Sequence, residues 1–347
     1  YSILKSLNYA NGSEVLVTGF TCEVVPNAVI NAGYSPIYVD INPVNYCMNP
    51  ERVEELITIK TKVIIIQHTF GIPAQIKELI NIANKYNLFV IEDCAVSLGS
   101  KYNGKLTGTF GDASIFSFEL SKTITSCWGG MLLLNTNNKK ILENIQNFYD
   151  QVQEQDNLRS LKTLFQLGVS GILYRPNIHT IGKYLIALLF KLKIFSVSTN
   201  IFEKTAKLHS KYLVKLSSNQ AKILARQFRR LDSLIENKIQ IKSDFIYKFS
   251  NNLNKSFVEY IKSNDVVIIR FPLITNNRLK LKDLFDFNKI ELGYWFTAPL
   301  SSDSINHKLF NYNFGDCINS ELIAGKIINI PLIKYTPLFI KKINKTI

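Results

Sequence analysis

The feature that most limits what this chain can fold into is a repeated alternation of short apolar runs with helical stretches, which continues to Leu134. This alternation predicts parallel strands joined by right-handed crossovers, and hence a three-layer α/β domain. The predicted strands are Glu14–Thr18, Pro36–Asp40, Val63–Gln67, Leu88–Glu92, Ile115–Phe118 and Met131–Leu134. No Gly-x-Gly-x-x-Gly opens a helix, which argues against a dinucleotide-binding dehydrogenase.

Lys122 lies between the last two of these runs, in the stretch Ser114–Gly130. Burial between two strands would lower the pKa of its ammonium, and a neutral amine can attack an aldehyde to form a Schiff base. Taken alone, a lysine after an apolar run is more often a solvated loop residue. Lys122 is therefore a candidate nucleophile only in combination with other residues.

Asp93 is the residue that strengthens this interpretation. It follows the apolar run Leu88–Glu92, which is typical of a buried parallel strand. Ligands of open α/β sheets bind beyond the carboxyl ends of the strands, where a carboxylate can keep a pyridinium nitrogen protonated. The alternative is that Asp93 caps the helix after the strand.

These motifs together resemble a known family, the DegT/DnrJ/EryC1/StrS sugar aminotransferases, which depend on pyridoxal 5'-phosphate (PLP). The matching segments, in the family's order and spacing, are Glu92-Asp93, Gly108-Thr-Phe-Gly111-Asp112, Phe116-Ser117-Phe118, Lys122 and Gly129-Gly130. The resemblance implies an aspartate-aminotransferase-like fold. We expect a large PLP-binding domain over residues 1–235 and a smaller α+β domain over residues 236–347. Residues 151–212 are expected to form a helical, apolar and basic insertion.

The resemblance also implies roles for individual residues. Lys122 would hold PLP as a Schiff base and move the proton at the reacting carbon, which makes it the catalytic residue. Asp93 would face the pyridine nitrogen, and Ser117 would contact the phosphate. Cys22 occupies the position of an aromatic residue that stacks on the ring. Lys122, where related dehydratases have histidine, implies amino transfer from an amino acid, usually glutamate, to a nucleotide-linked keto sugar, for amino-sugar and surface polysaccharide biosynthesis.

Some positions are weaker matches. Lys215 replaces an arginine that reaches the phosphate site of a neighbouring subunit, and Tyr294 and Trp295 lie in an aromatic turn that faces the substrate in the family. The chain departs from the family pattern at Cys22, Val96, Trp128 and Leu213. The alternative function is therefore a catalytically quiet homologue that binds a sugar nucleotide or a membrane surface.

The net charge of +14 is concentrated in one region. Residues 157–248 contain 17 Lys/Arg and 4 Asp/Glu, a balance that favours a polyanion such as a nucleotide diphosphate or an anionic membrane, or that forms a solvated basic face. We see no nucleic-acid-binding motif and expect no such partner. The apolar segment Ile181–Ser196 is too short and too charged to span a bilayer, but it could lie in the membrane interface. Packing against its own domain or a partner subunit is the favoured alternative.

The five cysteines are scattered and show no metal-type spacing, which suits a reducing cytoplasm, and His68 has no second ligand nearby in the sequence. We therefore predict no metal site. The family resemblance implies a homodimer with the site at the subunit interface. In the family a phosphate-binding segment precedes the helix that starts here at Ser2, so we expect a further segment before Tyr1.

Overall fold

A six-stranded sheet forms the centre of the molecule. The structure is a computed structural model that describes residues 1–175, 178–196, 204–209, 212–301 and 305–347. The strands are β1 (Glu14–Thr18), β2 (Ser35–Val39), β3 (Thr61–Gln67), β4 (Phe89–Asp93), β7 (Ala113–Ser117) and β8 (Gly130–Leu134), in the order β2-β1-β3-β4-β7-β8. The first five are parallel, and β8 is antiparallel to β7. The prediction of a wholly parallel sheet was wrong for β8, because the link from β7 to β8 contains turns and no crossover helix.

The remaining described elements are two short strand pairs and a set of helices. The antiparallel pairs are β5 (Lys101–Tyr102) with β6 (Lys105–Leu106), and β9 (Arg270–Ile274) with β10 (Ile327–Pro331). The helices are Ser2–Leu7, Val24–Asn31, Pro50–Val53, Ile76–Lys85, Lys139–Gln151, Asn157–Leu173, His179–Lys191, Ser218–Phe228, Leu231–Phe249, Lys255–Ser263, Arg278–Phe287, Ile318–Ala324 and Pro337–Thr346. In the described part of the chain, no helix combines the length and apolar composition needed to cross a membrane.

Side chains of the sheet alternate between two apolar layers, as the pleat of a strand requires. In β1, Val15 and Val17 pack on the side that also holds the helix Ser2–Leu7, whereas Leu16 packs on the side that holds Ile76–Lys85. The side chains of Val15, Leu16 and Val17 are all fully buried. The predicted three-layer α/β architecture is confirmed.

A further core surrounds β9 and β10, where helices from the C-terminal third pack against the strand pair. Phe20 and Phe70, which follow β1 and β3, belong to the same cluster and connect it to the edge of the large sheet. The apolar run over 266–273 predicts a strand, but β9 begins only at Arg270, because side chains form hydrogen bonds with the earlier backbone groups. The Val266 carbonyl accepts a hydrogen bond from Lys242, and the Val267 N–H donates to Ser100. The division into residues 1–235 and 236–347 stays a prediction.

Lys242 gives a pH-dependent test of this packing. Its buried ammonium donates to the Val266 carbonyl at 2.9 Å, and burial lowers its pKa from 10.5 to about 8. Between these pH values the unfolded chain binds the proton and the folded protein does not, so stability rises with pH. We expect Lys242→Met to stabilise the fold by about 2 kcal/mol at pH 7, allowing for the lost hydrogen bond.

The gain should shrink as the pH approaches 10.5, the usual pKa of a lysine. Urea unfolding at neutral and alkaline pH measures it, and Lys248→Met, on the exposed side of the same helix, is the control. A stabilisation by Lys242→Met that does not change with pH would contradict the explanation.

Candidate active site

The carboxyl ends of β1, β3, β4 and β7 meet at one edge of the sheet because these strands are parallel. Asp93 lies in the middle of that edge, between Gln67 on β3 and Ile115 on β7. Gln67 donates to the carbonyl of Phe20 at 3.0 Å and accepts a hydrogen bond from the hydroxyl of Thr21. These contacts hold the turn that carries Cys22 beside the end of β4.

Glu92 fixes the loop that follows on the other side. Its carboxylate is fully buried and accepts backbone N–H groups from Gly108, Phe110 and Gly111 at 2.6–2.7 Å. The N–H of Ala74 donates to His68 Nδ1, so the ring proton is on Nε2 and is donated to Glu92 at 3.1 Å. Burial raises the pKa of Glu92, but these hydrogen bonds outweigh burial and hold it below the usual value. Glu92 is thus an ionised structural anchor next to Asp93.

Asp93 itself is only 6% exposed. One carboxylate oxygen accepts the N–H of Ala95 at 3.0 Å. Burial raises the pKa of this carboxyl, and the Ala95 N–H and the positive charge of Lys122 offset part of that increase. An incoming cationic group would therefore find a partly desolvated carboxylate with fixed geometry.

Lys122 lies in the loop between β7 and β8, half-buried, with its Nζ 5.8 Å from the centre of the Trp295 ring. The backbone N–H of Lys122 donates to the carbonyl of Glu119. The side chain of Gln227 forms two hydrogen bonds with the backbone of Thr125 and so fixes the turn that follows. The charge of Lys122 acts on both Asp93 and Cys22. The structure thus brings Lys122, Asp93, Cys22 and Trp295 together.

The half-buried thiol of Cys22 donates to Glu23 at 3.4 Å. Desolvation, together with the charge of Glu23, raises its pKa to about 12, so the thiol is neutral at physiological pH. Cys22 therefore contributes a small neutral surface to the site and no nucleophile. Ser117 ends β7, pairs with Gly130 in the ladder and accepts the N–H of Glu119 at 3.4 Å.

The other two predicted substrate contacts have different surroundings. Tyr294 is exposed next to Trp295. Lys215 forms an ion pair of 3.1 Å with Glu154 and lies over the ring of Tyr149 at 4.9 Å. Its charge is thus engaged within this chain. Glu154 belongs to no sequence motif, so its position could not be predicted.

The cluster of His68, Glu92 and Cys94 is the one group of possible metal ligands among the described residues, with ligand atoms within 4.8 Å of one another. His68 therefore does have potential ligands nearby in space. However, both Glu92 oxygens accept backbone N–H groups, and His68 Nδ1 accepts that of Ala74. These hydrogen bonds occupy the lone pairs that a metal would need. The absence of a metal site stays a prediction.

The residues at this edge fit PLP. A buried carboxylate suits a protonated ring nitrogen, a nearby lysine suits the aldehyde, and the hydroxyl of Ser117 lies at the end of the neighbouring strand. When bound, PLP supplies an electron sink for the carbon that loses its proton. Asp93 would keep the ring nitrogen charged, and Lys122 would take and return the proton. Trp295 would cover the Nζ of Lys122 from the side of the aromatic turn.

Comparisons with known proteins agree with this site. The profile of the DegT/DnrJ/EryC1/StrS aminotransferase family matches residues 2–175 and 178–337. GDP-perosamine synthase of Escherichia coli O157:H7 is 42% identical over 148 residues, 43% of this chain and 40% of that protein. UDP-N-acetyl-3-dehydro-alpha-D-glucosamine 3-aminotransferase of Acidithiobacillus ferrooxidans is 39% identical over 131 residues, 38% of this chain and 36% of that protein. The chain thus aligns with about two fifths of the length of these two curated relatives.

The fold also matches a solved structure. A DegT DnrJ EryC1 StrS aminotransferase from Brucella abortus superposes with a TM-score of 0.71 at 20% identity, over 99% of this chain and 81% of that one. At this identity the match shows the fold alone.

Proposed function

This chain belongs to the DegT/DnrJ/EryC1/StrS aminotransferase family, and we propose that it is a PLP-dependent aminotransferase that moves an amino group from an amino acid to a nucleotide-linked keto sugar. The observation that carries the proposal is the position of Lys122 next to the buried carboxylate of Asp93 at the carboxyl edge of a parallel sheet. The catalytic residue is Lys122. The cofactor-binding residues are Lys122, Asp93, Ser117 and Cys22, with Lys215, Tyr294 and Trp295 toward the substrate.

The substrate class rests on the family and on two relatives whose names contain GDP and UDP. Glutamate is the proposed donor, and amino-sugar biosynthesis for surface polysaccharides is the proposed context. A homodimer in the cytoplasm, with peripheral membrane contact through Ile181–Ser196, completes the proposal. The basic balance of residues 157–248 supports an anionic partner of either kind.

A second candidate function is a binding module without amino transfer. The observation in its favour is that Cys22 offers a small neutral thiol where the family has a stacking aromatic, while the ion pair with Glu154 engages Lys215. Both features would weaken cofactor binding. The thiol covers little of an aromatic ring, and the ion pair with Glu154 competes for the charge of Lys215.

A visible absorption spectrum distinguishes the two candidates. The protein is mixed with PLP, and the spectrum is compared with free PLP before and after addition of glutamate. We expect a protein-dependent band that glutamate converts to another form, because Lys122 would then exchange with the donor amine. Lys105→Ala, which removes a lysine over Phe110 outside the site, should behave like the unmodified protein. Absence of a protein-dependent band would favour the binding module.

A further inference from the structure

The helix Asn157–Leu173 packs with its polar side inward, the reverse of an ordinary surface helix. Four polar residues at helical spacing are buried: Ser160, Thr163, Gln166 and Ser170. On the opposite side, large apolar residues at the spacing i, i+3, i+7 and i+14 are 52–65% exposed: Leu158, Leu161, Phe165 and Ile172.

Hydrogen bonds fix this orientation. Ser160 donates to the hydroxyl of Ser217, which caps the helix Ser218–Phe228, at 3.0 Å. Gln166 donates to the carbonyl of Ser196 and accepts its N–H, both at 3.0 Å. Turning the apolar side inward would break all three bonds, so its exposure is a stable property of the fold.

The second helix, His179–Lys191, extends the same surface. Gly182 lies against the carbonyl of Leu173, where an added Cβ would come within 2.0 Å, so the two helices approach closely. The exposed apolar residues of this helix and the turn after it recur at helical spacing: Ile181, Tyr184, Leu185, Leu188 and Leu192. We call these nine apolar residues of the two helices the hairpin face.

Basic residues predominate around the hairpin face, although the carboxylate of Asp156 caps the N-terminus of the first helix. Residues 157–196 contain six Lys/Arg and no Asp/Glu. Lys162, Arg175 and Lys191 are exposed and lie one helical turn from Leu158, Ile172 and Leu188, respectively. Lys183 points the other way and faces Glu291 at 3.9 Å. An apolar stripe whose border is mainly cationic suits the surface of an anionic bilayer.

We propose that the hairpin face docks on an anionic lipid surface, so that the membrane contact comprises both helices and not only Ile181–Ser196. A second copy of the chain fits less well, because a two-fold interface would bring two mainly cationic surfaces together. The inference builds on the proposed peripheral contact. Its test uses neither cofactor nor substrate, so it can fail without affecting the proposed amino transfer.

Flotation of the full chain with vesicles tests the proposal. We expect binding to an equal mixture of phosphatidylcholine and phosphatidylglycerol, little binding to phosphatidylcholine alone, and a loss of binding at high salt. Phe165→Ser should weaken the vesicle affinity about tenfold or more. The double variant Lys162→Gln/Lys191→Gln should weaken it about twenty-five-fold, at roughly fivefold for each cation.

The matched controls have the same chemistry elsewhere on the surface. Phe287→Ser removes an apolar residue that is 81% exposed, and Lys60→Gln/Lys77→Gln removes two exposed cations. Both should bind like the unmodified chain. The proposal is overturned if anionic vesicles do not bind the chain, or if the controls lose as much affinity as the hairpin variants. It is also overturned if sedimentation shows a dimer that Phe165→Ser dissociates, because a second copy would then occupy the face.

Discussion

Replacing Lys122 with alanine is expected to lower kcat/KM for amino transfer from glutamate to a nucleotide-linked keto sugar by at least about 10⁴-fold. Two functions would be lost together: the amine that attaches the cofactor, and the base that moves the proton at the reacting carbon. Other residues close to Lys122, such as Asp93 and Cys22, cannot replace the base. Asp93 would be committed to the ring nitrogen, and the thiol of Cys22 is held neutral by a pKa of about 12.

Two variants separate this role from a loss of charge or of fold. Lys122→Arg keeps the positive charge beside Asp93, but a guanidinium does not release its proton, so we expect it to be as inactive as the alanine variant. Lys105→Ala removes a lysine from a different surface and should retain full activity. Initial rates with saturating glutamate measure the effect. Turnover unchanged by Lys122→Ala would exclude the proposed chemistry, whatever the cofactor content.

The centre of the large sheet could be predicted from the sequence because β1, β3 and β4 are buried on both faces and contain continuous apolar runs. The bounds of β1 were predicted without error, and those of β3 and β4 to within two residues. The direction of β8 could not be predicted this way, since an apolar run is the same in either direction. The start of β9 at Arg270 could not be predicted from the sequence for another reason. The hydroxyl of Ser100, far away in the sequence, takes the N–H of Val267 that a longer strand would need.

The candidate site was predictable to the extent that it depends on strand ends. Asp93 and Lys122 each follow an apolar run, and parallel strands bring such positions to one edge. What Lys215 contacts could not be predicted, because its partner Glu154 lies in a region with no recognised pattern. The orientation of the helix Asn157–Leu173, with its polar side buried, could not be predicted either. Periodicity marks its apolar side, but only the partners of Ser160 and Gln166 show which side is buried.

Asp93→Asn is expected to change activity and stability in opposite directions. Amino transfer should fall by about 10²–10³-fold, because an amide cannot keep the ring nitrogen protonated. The cofactor-free protein should become more stable near neutral pH, by about 1 kcal/mol or ~2 °C in Tm, because the variant no longer buries a charge that desolvation disfavours. If Asp93 had a purely structural role, its replacement would lower both the activity and the stability.

The pH dependence gives the sign of the stability effect. Burial raises the pKa of Asp93 above its unfolded value, so between the two values the folded protein holds a proton that the unfolded chain has released. Asp93 therefore costs stability as the pH rises through this window, and the full cost remains above it. The advantage of Asp93→Asn should vanish as the pH falls below about 4, the ordinary pKa of an aspartate. Thermal unfolding from acid to neutral pH measures it, with Asp283→Asn on the exposed side of the helix Arg278–Phe287 as the control. A destabilised variant at neutral pH would show that the carboxylate of Asp93 holds the fold together, and the role assigned to it at the ring nitrogen would lose its physical basis.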